Sequence, residues 1–590
     1  MTQTNDQSLF SAFAPVSKAE WKAKAIAELR DAPYDSIVWQ TPDGFALEPW
    51  HSVETAGEHL AIPTTKLVNS WNSCQRIVVQ DVTTANSAAL RCFEQDASAL
   101  EFVMTDAALC SAENLNRLLA GIETAAVAIH FSGNLPPVAE LLATLVAIPD
   151  FSTNRGGLLA ATDEQTAELA ELFKAGKSLP HFRFLAIDTM PFHDKGATAA
   201  QEIAFALAGA SDALDRFSEA GMPIEKIADA MEIILPVGSS HFTELAKPRA
   251  LRYLLQHLLQ AYGASGAALL RLFARTSGRN RSLLDPYTNV LRLTTEAISA
   301  ILGGYDTIQI GAFDTGLSVA PEIAERITAN IHLILKEEGS LDRVVDPARG
   351  SNSIEMLTRN LAESAWNIFK EIETAGGLAE ATQCGLVEQM IAEAEVKRRK
   401  TLNNRKKTVI GVNRYMWPLT PEQETNIDAL TQAAMAASAG NETAAYELLR
   451  LKMRTHSIAS GRTPSVFIWM AGDAAISFRQ ATFTEDFFTC GGFEIAGKAS
   501  LPRDESSYTT ALQQQPEIVV LCIAEKDPLP TGEIICQKLR SLAPNLIVVM
   551  AGKPPKEHQH ILDAGVDSFI YTGINVLDML TSYQCKTGVK

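Results

Sequence analysis

The side chains of this chain that could do chemistry gather where apolar runs end. One run, Ser465-Val466-Phe467-Ile468-Trp469-Met470, leads into Ala471-Gly472-Asp473-Ala474-Ala475-Ile476-Ser477-Phe478-Arg479-Gln480. In a parallel sheet, the turn after the first strand is where a ligand sits. This turn has no histidine, no cysteine and a single glycine. Arg271, Arg275 and Arg279 form a second group, and their guanidinium forks suit a phosphate. They serve equally well as structural or interface charges, and that is the expectation. His193, within Phe192-His193-Asp194-Lys195-Gly196, is a candidate polar ligand, with packing at a strand end as the plainer reading. His558 and His560 follow Pro554-Pro555 at the polar start of a helix and read as surface histidines.

Composition narrows the function classes. At 590 residues the chain exceeds what one core holds, and two to four domains are expected. A formal net charge of −18 argues against nucleic acid as a general partner. The basic cluster Lys397-Arg398-Arg399-Lys400 and Arg405-Lys406-Lys407 therefore reads as a solvated helix end and loop. The eight cysteines show no CxxC pair and no metal-ligand spacing, so buried reduced thiols are expected. No apolar stretch approaches the roughly 20 residues of a membrane span, and Met1–Phe10 lacks the basic-then-apolar pattern of a secretory leader. A cytoplasmic protein is expected.

The elements that position these residues fall into four stretches. Residues 1–60 read as a leader, with a helical run from Lys18 to Leu29 between Pro15 and Pro33. Residues 61–400 alternate short apolar runs with amphipathic ones, as in a (β/α)8 barrel. Six barrel strands are expected at Arg76–Gln80, Leu100–Met104, Ala125–Phe131, Phe182–Asp188, Ala267–Phe273 and Thr307–Gly311, and two stay unplaced. Helices are expected at Ala199–Ala208, Ile224–Leu235 and Phe242–Tyr262. Residues 401–462 read as a connector with an Ala-rich helical part, and 463–590 as a five-stranded flavodoxin-like unit with strands near 465–470, 493–497, 517–523, 545–550 and 567–571.

Several segments carry a resemblance when taken together. They are Asp188–Gln201 (DTMPFHDKGATAAQ), Glu202–Gly221, Arg271–Arg292, Gly303–Pro321 (GGYDTIQIGAFDTGLSVAP), Asp346–Ser351 and Val409–Tyr415 (VIGVNRY). Over essentially its whole length the chain resembles the cobalamin-dependent acyl-CoA mutases, and among them the small (beta) subunits of heterodimeric methylmalonyl-CoA mutases. The resemblance implies a TIM barrel that holds acyl-CoA along its axis, followed by a unit of the corrin-binding type. It implies adenosylcobalamin radical chemistry that interconverts methylmalonyl-CoA and succinyl-CoA.

The same resemblance makes demands on residues that this chain does not meet. The family pattern Asp-x-His-x-x-Gly supplies the lower cobalt ligand, its orienting carboxylate and a glycine beside the nucleotide tail. Counted back from Gly492-Phe493-Glu494, those positions fall on Ala475, Ser477 and Gln480. The small pairs after later strands read Cys522-Ile523, Ala551-Gly552 and Thr572-Gly573-Ile574. In the barrel, a histidine that polarises the thioester carbonyl falls on Pro191, with His193 two residues away. Two further family histidines fall on Phe273 and Gln309, while Arg271 keeps the family arginine, leaving His193 and Arg271 as the substrate-binding candidates.

The resemblance therefore implies a non-catalytic chain whose partner, a homologous large (alpha) subunit, binds the cobalamin and the acyl-CoA. No catalytic, cofactor or metal residue is expected on this chain. An obligate interface on the order of 2,000–5,000 Å² is expected, with the leader around Trp21 and Trp39 as an arm over the partner. Two alternatives stay open: an active mutase that binds cobalamin without a histidine ligand, and a stand-alone assembly or binding protein.

Overall fold

The structure, a computed structural model, describes residues 16–590 except 31, 53, 55–58, 64–65, 160–171, 173, 175, 265–269, 315–320, 556–557 and 590. The leader helix Lys18–Glu28 starts in a capping box, with the Ser17 side chain and Glu20 satisfying each other's backbone N–H groups. A small hairpin pairs β1 (Trp39–Gln40) with β2 (Ala46–Leu47). Its turn is pinned to the barrel: the Asp43 carboxylate accepts from the Ala200 backbone N–H at 2.7 Å, at the start of helix Ala199–Glu219.

Eight parallel strands follow: β3 (Asn72–Val79), β4 (Ala99–Met104), β5 (Ala128–Gly133), β6 (Gly157–Leu158), β7 (Leu185–Asp188), β8 (Met231–Val237), β9 (Arg271–Thr276) and β10 (Thr307–Gln309). Their order is β6-β5-β4-β3-β10-β9-β8-β7, and a parallel bridge from Gly157 to Arg183 closes the ring. Side chains alternate as a barrel requires. Cys74, Ala99, Ala128, Ile234 and Phe273 meet inside, while Ile77, Phe102, Phe131 and Ile233 face the surrounding helices.

The two strands that the sequence pattern leaves unplaced are β6 and β8. Residues Ile224–Leu235, expected as one helix, split into a helix Ile224–Ala230 and strand β8. Every residue of β8 is buried, so no polar alternation marks it. Strand β6 is two residues of Gly157 and Leu158, too short to make an apolar run. The expected strand Ala267–Phe273 begins outside the described residues, and β9 extends to Thr276.

The connector forms helices Pro421–Thr425, Ile427–Ala437 and Ala444–Ser460. It joins the barrel through Glu447, whose carboxylate accepts from Ser282 Oγ at 2.6 Å and from the backbone N–H of Leu283 at 2.9 Å. Part of the basic cluster is ion-paired, Arg399 with Glu395 at 2.7 Å and Lys407 with Glu442 at 2.6 Å, while Lys397, Lys400 and Lys406 are exposed. The last sheet contains β11 (Ser465–Gly472), β12 (Glu494–Ser500), β13 (Ile518–Ala524), β14 (Ile547–Ala551) and β15 (Ser568–Ile570), in the order β12-β11-β13-β14-β15, all parallel. That order is the flavodoxin-like one. Ile518, Val520 and Cys522 cover one face and Val519, Leu521 and Ile523 the other. Among the described residues, no helix is long and apolar enough to cross a membrane.

Candidate functional site

Two places could host chemistry on this fold: the C-terminal edge of the last sheet and the axis of the barrel. At the first, strand β11 ends at Gly472 and helix Ala474–Thr489 begins two residues later. Only Asp473 lies between. Its carboxylate accepts from the Ile476 N–H at 2.9 Å and caps the helix, and its own N–H donates to the Ala524 carbonyl at 3.0 Å. Gly472 sits at φ +83° against the Ala524 carbonyl, where a Cβ would collide. The junction leaves no extended loop.

The three positions that the family pattern would fill thus lie inside the first two helical turns. Ala475 is exposed, Ser477 is buried and Gln480 is half-buried with its amide oxygen unpartnered. None offers a nitrogen that binds a metal. Beneath the helix, Thr484 Oγ1 meets Cys522 Sγ at 3.5 Å and closes the gap between helix and β13. Burial pushes the Cys522 thiol up to about 12, so it stays protonated. His558 is tied to the Pro555 carbonyl at 2.7 Å and packs edge-on to Phe569, while His560 is exposed. Among the described residues, no group of three His, Cys, Asp or Glu side chains could hold a metal ion. The residues present do not fit a corrin bound through an imidazole.

In the barrel, a polar plug crosses the axis. Glu101 of β4 is 1% exposed. It accepts from Arg275 Nη2 at 3.0 Å, from Ser132 Oγ at 2.5 Å and from the Gln309 side-chain amide. Arg275 Nε donates in turn to Gln309 Oε1 at 2.7 Å, and Arg76 approaches Glu101 at 3.7 Å. Burial alone would raise the Glu101 carboxyl, but Arg275 and the two neutral donors outweigh it and hold the group below its ordinary range. One layer down, Phe273 lies edge-on to His130 at 5.3 Å, and His130 Nδ1 stands 3.4 Å from Glu232. Gly157 makes room for that carboxylate, since a Cβ there would approach Glu232 Oε2 to 2.7 Å.

The sequence candidates do not converge on one site. Phe273 and Gln309 belong to the barrel filling, as does Arg275. Arg271 sits at the opposite end of β9, where it bonds to the Arg155 carbonyl. It neighbours Arg183, and burial together with that like charge brings Arg183 down to about 10. Arg279 pairs with Glu395 at 2.7 Å. Pro191 is exposed in the first turn of helix Met190–Lys195.

His193 is buried in a relay. Its Nε2 lies 2.7 Å from Ser277 Oγ and its Nδ1 2.7 Å from Glu202. Ser277 Oγ also accepts from the Arg279 N–H at 3.1 Å. Lys247, fully buried, then bridges Glu202 at 2.7 Å and Glu244 at 2.6 Å. Burial opposes its charge, yet the two carboxylates prevail and keep the ammonium above its usual range. Sequence reasoning missed Glu101, His130, Glu232, Glu202 and Lys247. A signal existed for three of them: Glu101, His130 and Glu232 each interrupt an apolar strand, which marks an inward-facing position.

Comparison with known proteins decides the family. A family model described as methylmalonyl-CoA mutase matches residues 148–447. The methylmalonyl-CoA mutase small subunit of Streptomyces virginiae is 31% identical over 554 residues, covering 90% of this chain and 87% of its own. The chain belongs to the methylmalonyl-CoA mutase family. The small subunit from Porphyromonas gingivalis is 29% identical over 623 residues, with 99% of each chain covered. The methylmalonyl-CoA mutase of Escherichia coli is 34% identical over 252 residues, covering 42% of this chain and 35% of its own. In this chain the tight junction at Asp473 and the polar network inside the barrel are the features that bear on function.

Proposed function

We propose that this chain is the small, non-catalytic subunit of a methylmalonyl-CoA mutase heterodimer, in which a homologous large subunit binds adenosylcobalamin and the acyl-CoA. The observation that carries this reading is the junction at Asp473. Where an imidazole would have to reach cobalt, the chain has already entered a capped helix, and Ser477 at that position faces the core. The barrel supports the same reading. A thioester tail needs an open axis, and here the axis is crossed by the Glu101–Arg275–Gln309 network.

Such a chain supplies surface. Two homologous barrels can pair pseudo-symmetrically, as identical subunits pair about a two-fold axis. The test is direct. The chain purified alone should give no change in the visible spectrum of added adenosylcobalamin and no isomerisation of methylmalonyl-CoA, whereas co-expression with a large subunit should yield a stable, active pair. Stoichiometric cobalamin capture with turnover by the lone chain would end the reading.

A further inference from the structure

The relay that begins at Ser277 has the connectivity of a serine nucleophile, its base and an orienting carboxylate. Ser277 directly follows β9, and its N–H donates to the Val237 carbonyl at 2.8 Å, so the β8–β9 ladder runs on through it. It therefore falls in the inward register of Phe273 and Arg275. That is the C-terminal mouth of the barrel, the face on which barrel enzymes carry their reacting groups. The mouth is open above the plug: Val78, in the inward register of Cys74 on β3, is 49% exposed.

Charge fixes the direction of the proton path. Burial opposes the Glu202 carboxylate, but Lys247 and His193 outweigh it and hold the group below its ordinary range. An ionised carboxylate only accepts, so His193 Nδ1–H donates to Glu202 across 2.7 Å. In the neutral ring Nε2 is then a bare acceptor, 2.7 Å from Ser277 Oγ, and takes the hydroxyl proton. The Arg279 N–H meets the same oxygen at 3.1 Å and favours negative charge there as the proton leaves. The next backbone N–H in the chain, that of Gly278, has no hydrogen-bond partner among the described residues. A Cβ on Gly278 would meet nothing within 4 Å, so there is open space beside that donor. In α/β-hydrolases the N–H that follows the nucleophile serves the oxyanion.

We infer that Ser277, His193 and Glu202 form a nucleophilic triad that hydrolyses short acyl esters entering the barrel mouth, with the Gly278 N–H as oxyanion donor. Ser277 Oγ adds to the acyl carbonyl carbon while its proton passes to His193 Nε2. The tetrahedral oxyanion collapses, the C–O bond to the leaving alcohol breaks, and His193 returns the proton to that oxygen. Water then attacks acyl-Ser277 by the same route, which releases the acid and restores the serine. Ser277 and His193 touch the substrate, and Glu202 is a positioning residue. Access sets the substrate class. Ser277 is 2% exposed and the His193 side chain 11%. The Glu101–Arg275–Gln309 network closes the axis one layer below, so only a small acyl group fits. This hydrolysis is separate from the mutase reaction and does not rest on the subunit reading.

Treating the full chain with a biotinylated fluorophosphonate, followed by digestion and mass spectrometry, tests this. Covalent label on Ser277, formed with loss of fluoride, is expected. Turnover of p-nitrophenyl acetate should be about 10-fold faster than that of the octanoate. Ser277→Ala should abolish labelling and turnover, and His193→Gln should slow labelling about 100-fold. Glu202→Gln should slow it by a similar factor, and Glu202→Asp, which keeps a carboxylate, should recover part of the rate; a purely structural role would give no such recovery. Should Ser277→Ala fail to fold, the position of the label in the parent chain decides. The inference is overturned by label on other residues only or on none, by acetate turnover that survives Ser277→Ala, by an unchanged rate in His193→Gln, or by equal turnover of the two esters.

Discussion

Replacing Arg275 by methionine tests the plugged barrel and the silent-subunit reading together. Arg275 contributes the nearest cation to Glu101, at 3.0 Å, and Arg76 stands farther away at 3.7 Å. Methionine keeps much of the volume but strands the carboxylate in the barrel, and breaking a buried pair in this way costs about 3–5 kcal/mol. Ser132 and Gln309 still donate to Glu101, so the lower end of that range, about 3 kcal/mol, is expected.

The pH dependence has a definite sign. In the parent chain the Glu101 carboxyl is depressed, so its stabilisation is present above the unfolded carboxylate value of about 4.3 and is lost as pH falls through the folded value. In Arg275→Met, burial without the guanidinium raises the group instead, and the carboxyl takes up a proton more readily in the folded state. The stability gap between parent and variant should therefore widen from about pH 5 to about pH 8. Urea denaturation followed by far-ultraviolet circular dichroism at several pH values reads this out. Once paired with its large subunit, the variant should support the same kcat per assembled complex. A loss under about 1 kcal/mol, or a gap flat with pH, would refute the plug. A fall in kcat at unchanged assembly would refute the idle barrel.

Other perturbations probe separate parts of the molecule. Lys247→Met leaves Glu202 and Glu244 buried together and should destabilise by about 3–5 kcal/mol; adding Glu202→Gln should recover part of that loss, and purely additive losses would disprove the coupling. Asp473→Ala removes the cap on helix Ala474–Thr489 and should cost about 1 kcal/mol by chemical denaturation, with no effect on mutase activity of the pair. Alkylation at mildly alkaline pH should reach the exposed Cys384 and Cys585 first and leave Cys522, whose thiol burial raises to about 12, unmodified until the chain unfolds. Mass spectrometry of the native chain would show the order, and early labelling of Cys522 would contradict its burial.

What the sequence determined by itself is local and patterned. Alternating apolar runs and amphipathic stretches announced the barrel and the five-stranded last sheet, because periodicity reports which faces turn away from water. The lack of an imidazole near Ala475, Ser477 and Gln480 was equally legible, since side-chain identity needs no coordinates. The tertiary structure decided the rest. Strand β8 looked helical because a strand buried on both faces carries no polar alternation, and β6 was too short to carry any pattern at all. Glu101, Ser132, Arg275 and Gln309 stand far apart in the chain and meet only because four strands bring them to one level of a closed barrel. The same holds for His193, Ser277, Glu202 and Lys247. Pairing between distant segments is set by packing and by the demand that buried polar groups find partners, and no spacing within a single segment encodes it.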